Sequence, residues 1–447
     1  MNRHTKIGLI AGALLVITAV QVQAQVQTLK GCFPQLSGTV ISLSGYDGFR
    51  EKELSKAQCD SAGLFTLSYP ASYTGAAMLQ AKGAQGTIVL LNNEDVSLQW
   101  NNMQDINTLR FSGSTENEAF AKGIATNGEA EQKLAGLRYL LPKYEEKSKQ
   151  NQWLMKEIAV QEKQFQGFID KLPAGSYASK YLTLRKFVAD MYAASKRRDT
   201  TGLAQIEVGF AKLDFADEAL WHSGLAVDVF TGFYQLLEGY GDIETISRKS
   251  NSATNIWINA LAQNPSRQQT VAEYCFKMLE KKGLTASSEY LAKAMLSESG
   301  CQLDKKSTAL FEQYRKMAEG NTAPDIELPD GKKLSELGGK YKLVVFGASW
   351  CPDCQKDYPS LAGSYRRIKD KCDIECVYIS LDTDKKVCEE FYKEATFVVS
   401  CDTKGWNGPT VKDYCVVATP TLYLLDKKLQ IIKRIVTPQQ LEGFVGR

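Results

Sequence analysis

The sequence predicts a multidomain α+β protein: an N-terminal antiparallel β-sandwich, a central helical region and a C-terminal α/β domain. The chain has 447 residues, more than the roughly 100–200 residues of a typical single domain. Its apolar pattern changes from short runs between turns to helical spacing, and then to alternating strands and helices. A capping-box pattern at Thr115 and Glu118 marks the first change, and a break with proline and glycine at about 320–333 marks the second. We expect domains at 25–113, 114–319 and 320–447.

Residues 1–24 have the pattern of a secretory signal peptide. Arg3 and Lys6 form a basic start, Ile7 to Val20 is apolar, and a small residue ends the segment. This apolar stretch is short for a bilayer span, which needs about 20 residues. A retained membrane anchor is the alternative. Lipid attachment at Cys32 is less favoured, because lysine lies where lipoprotein signals need a small residue. The pattern predicts a protein of the periplasm or cell envelope, soluble after cleavage.

The segment that follows the signal alternates short apolar runs with glycine-containing turns. Leu64 to Tyr69 and Thr87 to Leu91 have the composition of strands, and Asp60-Ser61-Ala62-Gly63 that of a turn. These features predict a small antiparallel sandwich. Thr115 and Glu118 have capping-box spacing, so we expect the strands to give way to helix there.

The central region is rich in alanine, leucine, lysine and glutamate, and its apolar residues recur near the helical period. One predicted helix contains Leu154, Ile158, Phe165, Ile169 and Leu172. Pro173 should end that helix, and further helices are predicted within Ala219 to Leu237 and Thr270 to Leu279. We expect a helical bundle or array, in which the apolar stripes form the core.

Composition excludes several classes of function. The chain has 54 Lys+Arg against 51 Asp+Glu without long runs of one sign, which argues against nucleic-acid binding. Of its two histidines, His4 lies in the signal segment. His222 follows Trp221 in an apolar stretch, so we interpret it as structural. This scarcity argues against Ser-His-Asp or Cys-His catalysis and against histidine-rich metal sites.

A break at about 320–333 leads into the C-terminal domain, where strands and helices alternate. The predicted elements are strands at Leu343–Phe346, Glu375–Leu381, Thr421–Leu425 and Ile431–Val436, and helices at Pro352–Lys371, Asp384–Glu394 and from Pro438 onward. This order predicts a mixed sheet covered by helices.

Two cysteines lie between the first strand and the first helix of this domain, in Trp350-Cys351-Pro352-Asp353-Cys354. Proline favours the first helical position, so Pro352 places Cys351 at the N-cap. There helix amides and the macrodipole stabilise a thiolate. Cys351 should attack a substrate disulfide, and Cys354, one turn further, should resolve the mixed disulfide.

Two alternative interpretations of the cysteine pair are a structural disulfide and half of a zinc site completed by Cys372 and Cys376. A zinc knuckle needs neither a preceding buried strand nor a proline cap. We therefore predict no metal and no catalytic role for Cys372 or Cys376. If Cys351 pairs with Cys354, nine of the eleven cysteines remain, and at least one of those is free or intermolecular.

The region 320–447 resembles the thioredoxin superfamily, specifically the TlpA/ResA-like envelope thiol:disulfide oxidoreductases. The resemblance rests on Ala323-Pro324, on Phe346 to Cys354 and on Ala418-Thr419-Pro420-Thr421. It implies a redox-active disulfide, Cys351–Cys354, with no other cofactor. It also implies a cis bond between Thr419 and Pro420 facing the pair, and substrate contacts at Trp350, Thr419 and Pro420.

The same branch commonly has glutamate three residues after the second cysteine, and here Asp357 occupies that position. Positions 354 and 357 share a helix face, so Asp357 could exchange a proton with Cys354. The alternative is an acidic residue on a solvated helix face. Upstream, the layout and the segment Asp214 to Leu220 resemble the multidomain form of the family. Dimerisation and substrate selection are hypotheses for those regions.

The sequence thus predicts an exported enzyme that reduces disulfides of envelope proteins and is re-reduced by a thiol reductase of the inner membrane. Asp353 places an acid beside Cys351, which should favour the thiol and a reducing poise. A disulfide isomerase or oxidant remains an alternative, as does a non-catalytic binding module with a structural disulfide. A peroxidase would need threonine or serine and proline where Ala348 and Val344 lie.

Overall fold

The computed structural model describes residues 26–197, 200–297, 303–435, 438 and 441. It divides into two compact units. One contains the chain to Thr183 together with Trp221–Gly224, and the other contains Leu184–Leu220 and the chain from Leu225. Among the described residues, no helix is both long and apolar enough to cross a membrane. The predicted signal peptide lies outside the described residues, and the domain limits stay predictions.

The described residues of the first unit begin with strands that form two four-stranded sheets. The strands are β1 (Val26–Cys32), β2 (Val40–Asp47), β3 (Arg50–Gln58), β4 (Leu64–Pro70), β5 (Thr74–Ala81), β6 (Thr87–Asn92), β7 (Val96–Trp100) and β8 (Leu109–Ser112). The sheet orders are β4-β1-β7-β8 and β3-β2-β5-β6. All neighbours are antiparallel except β1 and β7, which pair in parallel.

The two sheets share one apolar core, as the predicted sandwich requires. Along β4, Phe65, Leu67 and Tyr69 are buried while the residues between them are exposed, because successive side chains of a strand point to opposite faces. They belong to the same core cluster as Leu43 of β2 and Leu79 of β5 in the other sheet. Burial of alternate residues therefore holds the sandwich together.

Helices follow the sandwich, as predicted. They are α1 (Thr115–Leu140), α2 (Lys149–Ile169), α3 (Tyr177–Arg197), α4 (Thr200–Ala211), α5 (Glu218–Trp221), α6 (Ala226–Leu237), α7 (Ile243–Ala260), α8 (Pro265–Lys281), α9 (Thr285–Ser297) and α10 (Lys305–Lys316). The helix start at Thr115 agrees with the prediction, but its cap is different. Ser114 is the N-cap, and its hydroxyl accepts the amide of Asn117 at 3.1 Å.

The stretch Ala219 to Leu237 is largely helical, as predicted, but the chain breaks it into two helices, α5 and α6. Gly224 has φ +74°, in the left-handed region that favours glycine. Beside the break, the His222 ring stacks on Tyr73 at 5.1 Å, and its Nδ1 lies 2.9 Å from the carbonyl oxygen of Thr74. His222 therefore has local structural contacts.

The C-terminal part of the second unit contains a five-stranded sheet of order β11-β10-β9-β12-β13. Its strands are β9 (Tyr341–Gly347), β10 (Ile374–Ser380), β11 (Val398–Cys401), β12 (Thr421–Asp426) and β13 (Ile431–Ile435). The helices are α11 (Pro352–Cys372), α12 (Lys385–Phe391) and α13 (Pro409–Asp413). Strands β9 to β11 are parallel to one another, and β12 and β13 are antiparallel to their neighbours. This is the predicted mixed sheet.

The sequence interpretation missed β11 and α13 and placed the end of α12 three residues too late. Val436 and most of the helix predicted from Pro438 lie outside the described residues.

The break at 320–333 is packed against the sheet rather than extended into solvent. The amides of Gly320 and Ala323 donate to the carbonyl oxygens of Ile431 and Leu429, each at 2.8 Å. Deeper in the same unit, Arg434 of β13 forms a buried ion pair with Glu280 of α8. Helices and sheet of this unit are therefore joined by backbone and side-chain contacts.

Candidate active site

Cys351 lies at the junction where β9 passes into α11. It is the N-cap of α11, with φ −85° and ψ 117°, and Pro352 is at the start of the helix. The Cys351 sulfur accepts the backbone amide of Cys354 at 3.2 Å. The structure thus has Cys351 in the position that the motif predicts, with an N–H donor directed at its sulfur.

The two sulfur atoms of Cys351 and Cys354 lie 2.7 Å apart. Both cysteines are free thiols. Cys351 is 5% exposed and Cys354 2%. The small opening at Cys351 makes it the more accessible of two nearly buried thiols.

Burial raises the pKa of the Cys354 thiol to about 12, and its hydrogen bond with Cys351 adds to this effect. Because only a thiolate is nucleophilic, Cys354 is inert at neutral pH until a base removes its proton. This difference suits the resolving role predicted for Cys354.

The turn before β12 faces the cysteine pair. Its bond between Thr419 and Pro420 is cis, as the resemblance implies. The Cys351 thiol donates to the carbonyl oxygen of Thr419 at 3.5 Å. The backbone of Thr419 therefore lies beside the sulfur that a substrate disulfide must reach.

Asp357 lies one turn beyond Cys354 and is half-buried. Burial raises the pKa of its carboxyl, Lys356 lowers it and Asp353 raises it. Within the described part of the chain, no hydrogen bond joins this carboxyl to Cys354. Asp353 itself is exposed in the first turn of α11. Asp357 therefore shares a helix face with Cys354 and is not hydrogen-bonded to it.

Two tryptophans form an exposed aromatic surface beside Cys351. Trp350 is 51% exposed and Trp406 43%, and their ring centroids are 6.4 Å apart. The sequence interpretation identified Trp350 but missed Trp406. A tryptophan between Gly405 and Gly408, 55 positions after Cys351, carries no sequence signal that links it to the motif. Only the fold brings the two rings together.

A buried carboxylate holds the loop ahead of the reactive cysteine, and the sequence interpretation missed it as well. Asp382 is 2% exposed. It accepts the Ser349 hydroxyl at 2.6 Å, the Ser349 amide at 3.1 Å and the Ser380 hydroxyl at 2.6 Å. Hydrogen bonds to a carboxylate are strong when they are shielded from water. Asp382 therefore fixes Ser349, two residues before Cys351.

Gly347, the last residue of β9, leaves room for the side chains behind the cysteine pair. A Cβ atom at this position would lie 2.0 Å from the Tyr378 hydroxyl and 3.3 Å from the Cys354 sulfur. Any larger residue would thus displace Tyr378 or Cys354. The close approach of β9 and β10 to Cys354 depends on glycine.

This arrangement can carry out dithiol–disulfide exchange. It combines one thiol at a helix N-terminus, a second buried thiol within reach of it, and an exposed surface where a disulfide can approach. Cys372 and Cys376 do not belong to it. Cys376 is buried in the core between sheet and helix, and Cys372 packs against that core.

Known proteins with similar sequences include thiol-disulfide oxidoreductases. A family model described as thioredoxin-like matches residues 338–431. The thiol-disulfide oxidoreductase ResA of Bacillus cereus is 31% identical over 146 residues, which cover 31% of this chain and 82% of that relative. ResA of Bacillus subtilis is 29% identical over 143 residues, covering 31% and 77%. A solved thiol-disulfide oxidoreductase from Bacteroides fragilis is 28% identical, with a TM-score of 0.26, covering 28% of this chain and 98% of that chain.

Proposed function

The chain belongs to the thioredoxin-like family of thiol-disulfide oxidoreductases, and from this premise we propose that it reduces disulfide bonds of exported proteins. The observation that carries the proposal is the pair Cys351 and Cys354, with sulfurs 2.7 Å apart at the N-terminus of α11. Thioredoxin-like oxidoreductases perform this chemistry with the cysteine pair alone.

The reaction proceeds in two exchange steps. The Cys351 thiolate attacks one sulfur of the substrate disulfide, so that a mixed disulfide forms and the other substrate sulfur leaves and takes up a proton. Cys354 then loses its proton and attacks the Cys351 sulfur, which releases the second substrate thiol. The substrate gains two electrons and two protons, and Cys351 and Cys354 become a disulfide.

Asp357 is proposed as the base for the second step. The Cys354 pKa of about 12 means that its proton needs an acceptor at neutral pH. The burial that raises the pKa of Asp357 makes its carboxylate a better base than an exposed aspartate. Its position one turn along α11 suits a proton transfer when the mixed disulfide opens the site.

The acid beside the attacking cysteine supports a reducing direction. Strong oxidants of this fold have a stabilised reduced form. The exposed Asp353 places a negative charge next to Cys351, and a like charge does not stabilise a thiolate.

An extended segment of the substrate protein is proposed to bind beside Cys351. The aromatic surface of Trp350 and Trp406 offers apolar contacts. The cis turn at Thr419 and Pro420 offers backbone groups next to the Cys351 sulfur. Together they favour a disulfide carried by a flexible or unfolded chain.

The signal-like pattern of residues 1–24 supports a location in the periplasm or cell envelope. There an electron donor must re-reduce the pair after each cycle. We propose a thiol reductase of the inner membrane for this step and disulfide-containing envelope proteins as substrates.

The reduction potential of the Cys351/Cys354 pair tests the direction of the reaction. We expect a value near that of thioredoxin, about −270 mV, on equilibration with dithiothreitol or glutathione. A value near −120 mV would make the protein an oxidant. The Cys351→Ala variant is the control. A wild-type pair that does not cycle would leave a binding module with a structural disulfide.

A further inference from the structure

A second pair of cysteines lies in the same domain, beside the segment that holds the reactive loop. Cys401 is the last residue of β11, and its register partner on the parallel strand β10 is Ser380. Cys388 lies on α12, packed in the core cluster on one side of this sheet. Register partners on parallel strands point to the same face, so the side chains of Ser380 and Cys401 are neighbours.

The two cysteines belong to one part of the core, where Cys388 is buried and Cys401 packs against the same cluster. Both Ser380 and Cys401 act on the pKa of the Cys388 thiol, as close neighbours do. The Cys401 thiol also donates to the carbonyl oxygen of Asp382 at 3.6 Å. Neighbouring thiols can form a disulfide with little backbone movement.

The two thiols differ in exposure, as a two-step thiol–disulfide exchange requires. Cys401 is partly exposed, whereas Cys388 is 2% exposed. Burial raises the pKa of Cys388 to about 12, the hydrogen bond to Ser380 lowers it, and contact with Cys401 raises it. Cys401 is therefore the thiol that an oxidant reaches first, and Cys388 is the shielded thiol behind it.

We propose that Cys388 and Cys401 form a second dithiol–disulfide site, which is oxidised by small-molecule disulfides. The Cys401 thiolate attacks one sulfur of the small disulfide, and the other half leaves as a thiol with the proton that Cys401 lost. Cys388 then attacks the Cys401 sulfur and releases the second half as a thiol. One small disulfide is reduced to two thiols, and one protein disulfide forms. This site goes beyond the proposed function and does not depend on Cys351.

The test uses the full chain equilibrated in buffers with different ratios of reduced to oxidised glutathione. After acid quenching, free thiols are alkylated, and tryptic peptides are analysed by mass spectrometry. Trypsin separates Cys388 and Cys401, because Lys393 lies between them. The peptides 387–393 and 394–404 each contain one cysteine, so their linkage reports this disulfide. Peptide 343–356 contains both Cys351 and Cys354 and reports the other pair separately.

We expect the ratio of linked to unlinked peptide to rise about tenfold for each 30 mV increase in buffer potential, as for a two-electron couple. The Cys401→Ser variant should lack the linked peptide. The control Cys372→Ala, which removes another partly buried thiol of this domain, should retain it. If wild-type Cys388 and Cys401 remain separately alkylated, or carry glutathione, in oxidising buffer, the proposal is wrong. Because peptide 343–356 is read independently, that result would leave the proposed function standing.

Discussion

At the residue scale, the reactivity of the site depends on the different environments of two cysteines three positions apart. Cys351 has an amide donor at its sulfur, and Cys354 has the protein interior around it. The burial of Cys354 predicts that the reactivity of its thiol depends on pH in a way that can be measured.

Alkylation of Cys354 should be slow at neutral pH and should accelerate well above pH 9, because the burial of this thiol does not depend on Cys351. Burial raises the pKa of this thiol from 9.0 to about 12, which lowers its thiolate fraction on the order of a thousandfold relative to an ordinary thiol. The measurement is the iodoacetamide rate at Cys354 in the Cys351→Ser variant. A rate that levels off near pH 9 would contradict the prediction.

The raised pKa of Cys354 also makes the stability of the folded protein depend on pH. Below pH 9 the Cys354 thiol keeps its proton in both the folded and the unfolded chain. Above pH 9 the unfolded chain loses this proton, whereas the folded chain keeps it until about pH 12. The dithiol form should therefore lose stability as pH rises through this window. Urea unfolding of wild type and Cys354→Ala at pH 8 and pH 10.5 checks this, because only wild type has the Cys354 contribution.

Substitution Asp357→Asn should slow resolution of the mixed disulfide, since it removes the base next to a thiol whose pKa is about 12. General acid–base groups typically contribute about 10²–10⁴-fold. The measurement is stopped-flow release of thiol from a mixed disulfide preformed on Cys351. Glu389→Gln, which alters an exposed acid on α12, is the control. An unchanged rate would remove Asp357 from the mechanism.

At the scale of elements, the loop between β11 and α13 completes the site. It carries Trp406, and its path is fixed locally. The backbone of Gly405 is left-handed, with φ +54°, and the Asp402 side chain accepts the amide of Lys404 at 2.9 Å. These local features shape the loop that places Trp406 beside Trp350.

Substitution Trp406→Ala should raise KM for a peptide disulfide about fivefold to tenfold and leave kcat nearly unchanged. The reason is that the variant loses an aromatic contact to the substrate of roughly 1 kcal/mol, and that this loss is equal in the ground state and in the transition state. The control is Trp153→Ala, which removes an exposed tryptophan of α2. Steady-state kinetics with the peptide separates the outcomes, and a fall in kcat alone would argue against a binding role.

Sequence patterns predicted those elements of the C-terminal domain whose signal is local. Strand β9 contains the continuous apolar run Leu343 to Phe346, and α11 has a proline start after a cysteine cap. Strand β11 was missed because it has only four residues, each partly buried, so neither alternation nor length identifies it. Asp382 and Trp406 were missed because their roles come from contacts between distant positions.

At the scale of the molecule, the second unit joins its helices to the thioredoxin-like sheet through a buried charged cluster. Arg434 of β13 pairs with Glu280 of α8 and donates to the Tyr314 hydroxyl at 2.7 Å. That hydroxyl donates in turn to Glu280 at 2.7 Å. All three residues are nearly buried. A chain cut at residue 320 would lack Glu280 and Tyr314 and would therefore lose the contacts that bury Arg434.

Substitution Glu280→Gln in the full chain should destabilise the second unit by about 3–5 kcal/mol, because it leaves the buried Arg434 charge without a counter-charge. Adding Arg434→Met should recover much of that loss, since an apolar side chain fits the same buried space without a charge. Glu319→Gln is the matched control. This control breaks the exposed ion pair between Glu319 and Lys433, which lies next to Arg434 on β13. It should cost less than about 1 kcal/mol. Urea unfolding curves measure all three, and equal effects of Glu280→Gln and Glu319→Gln would show that the buried pair does not hold this unit together.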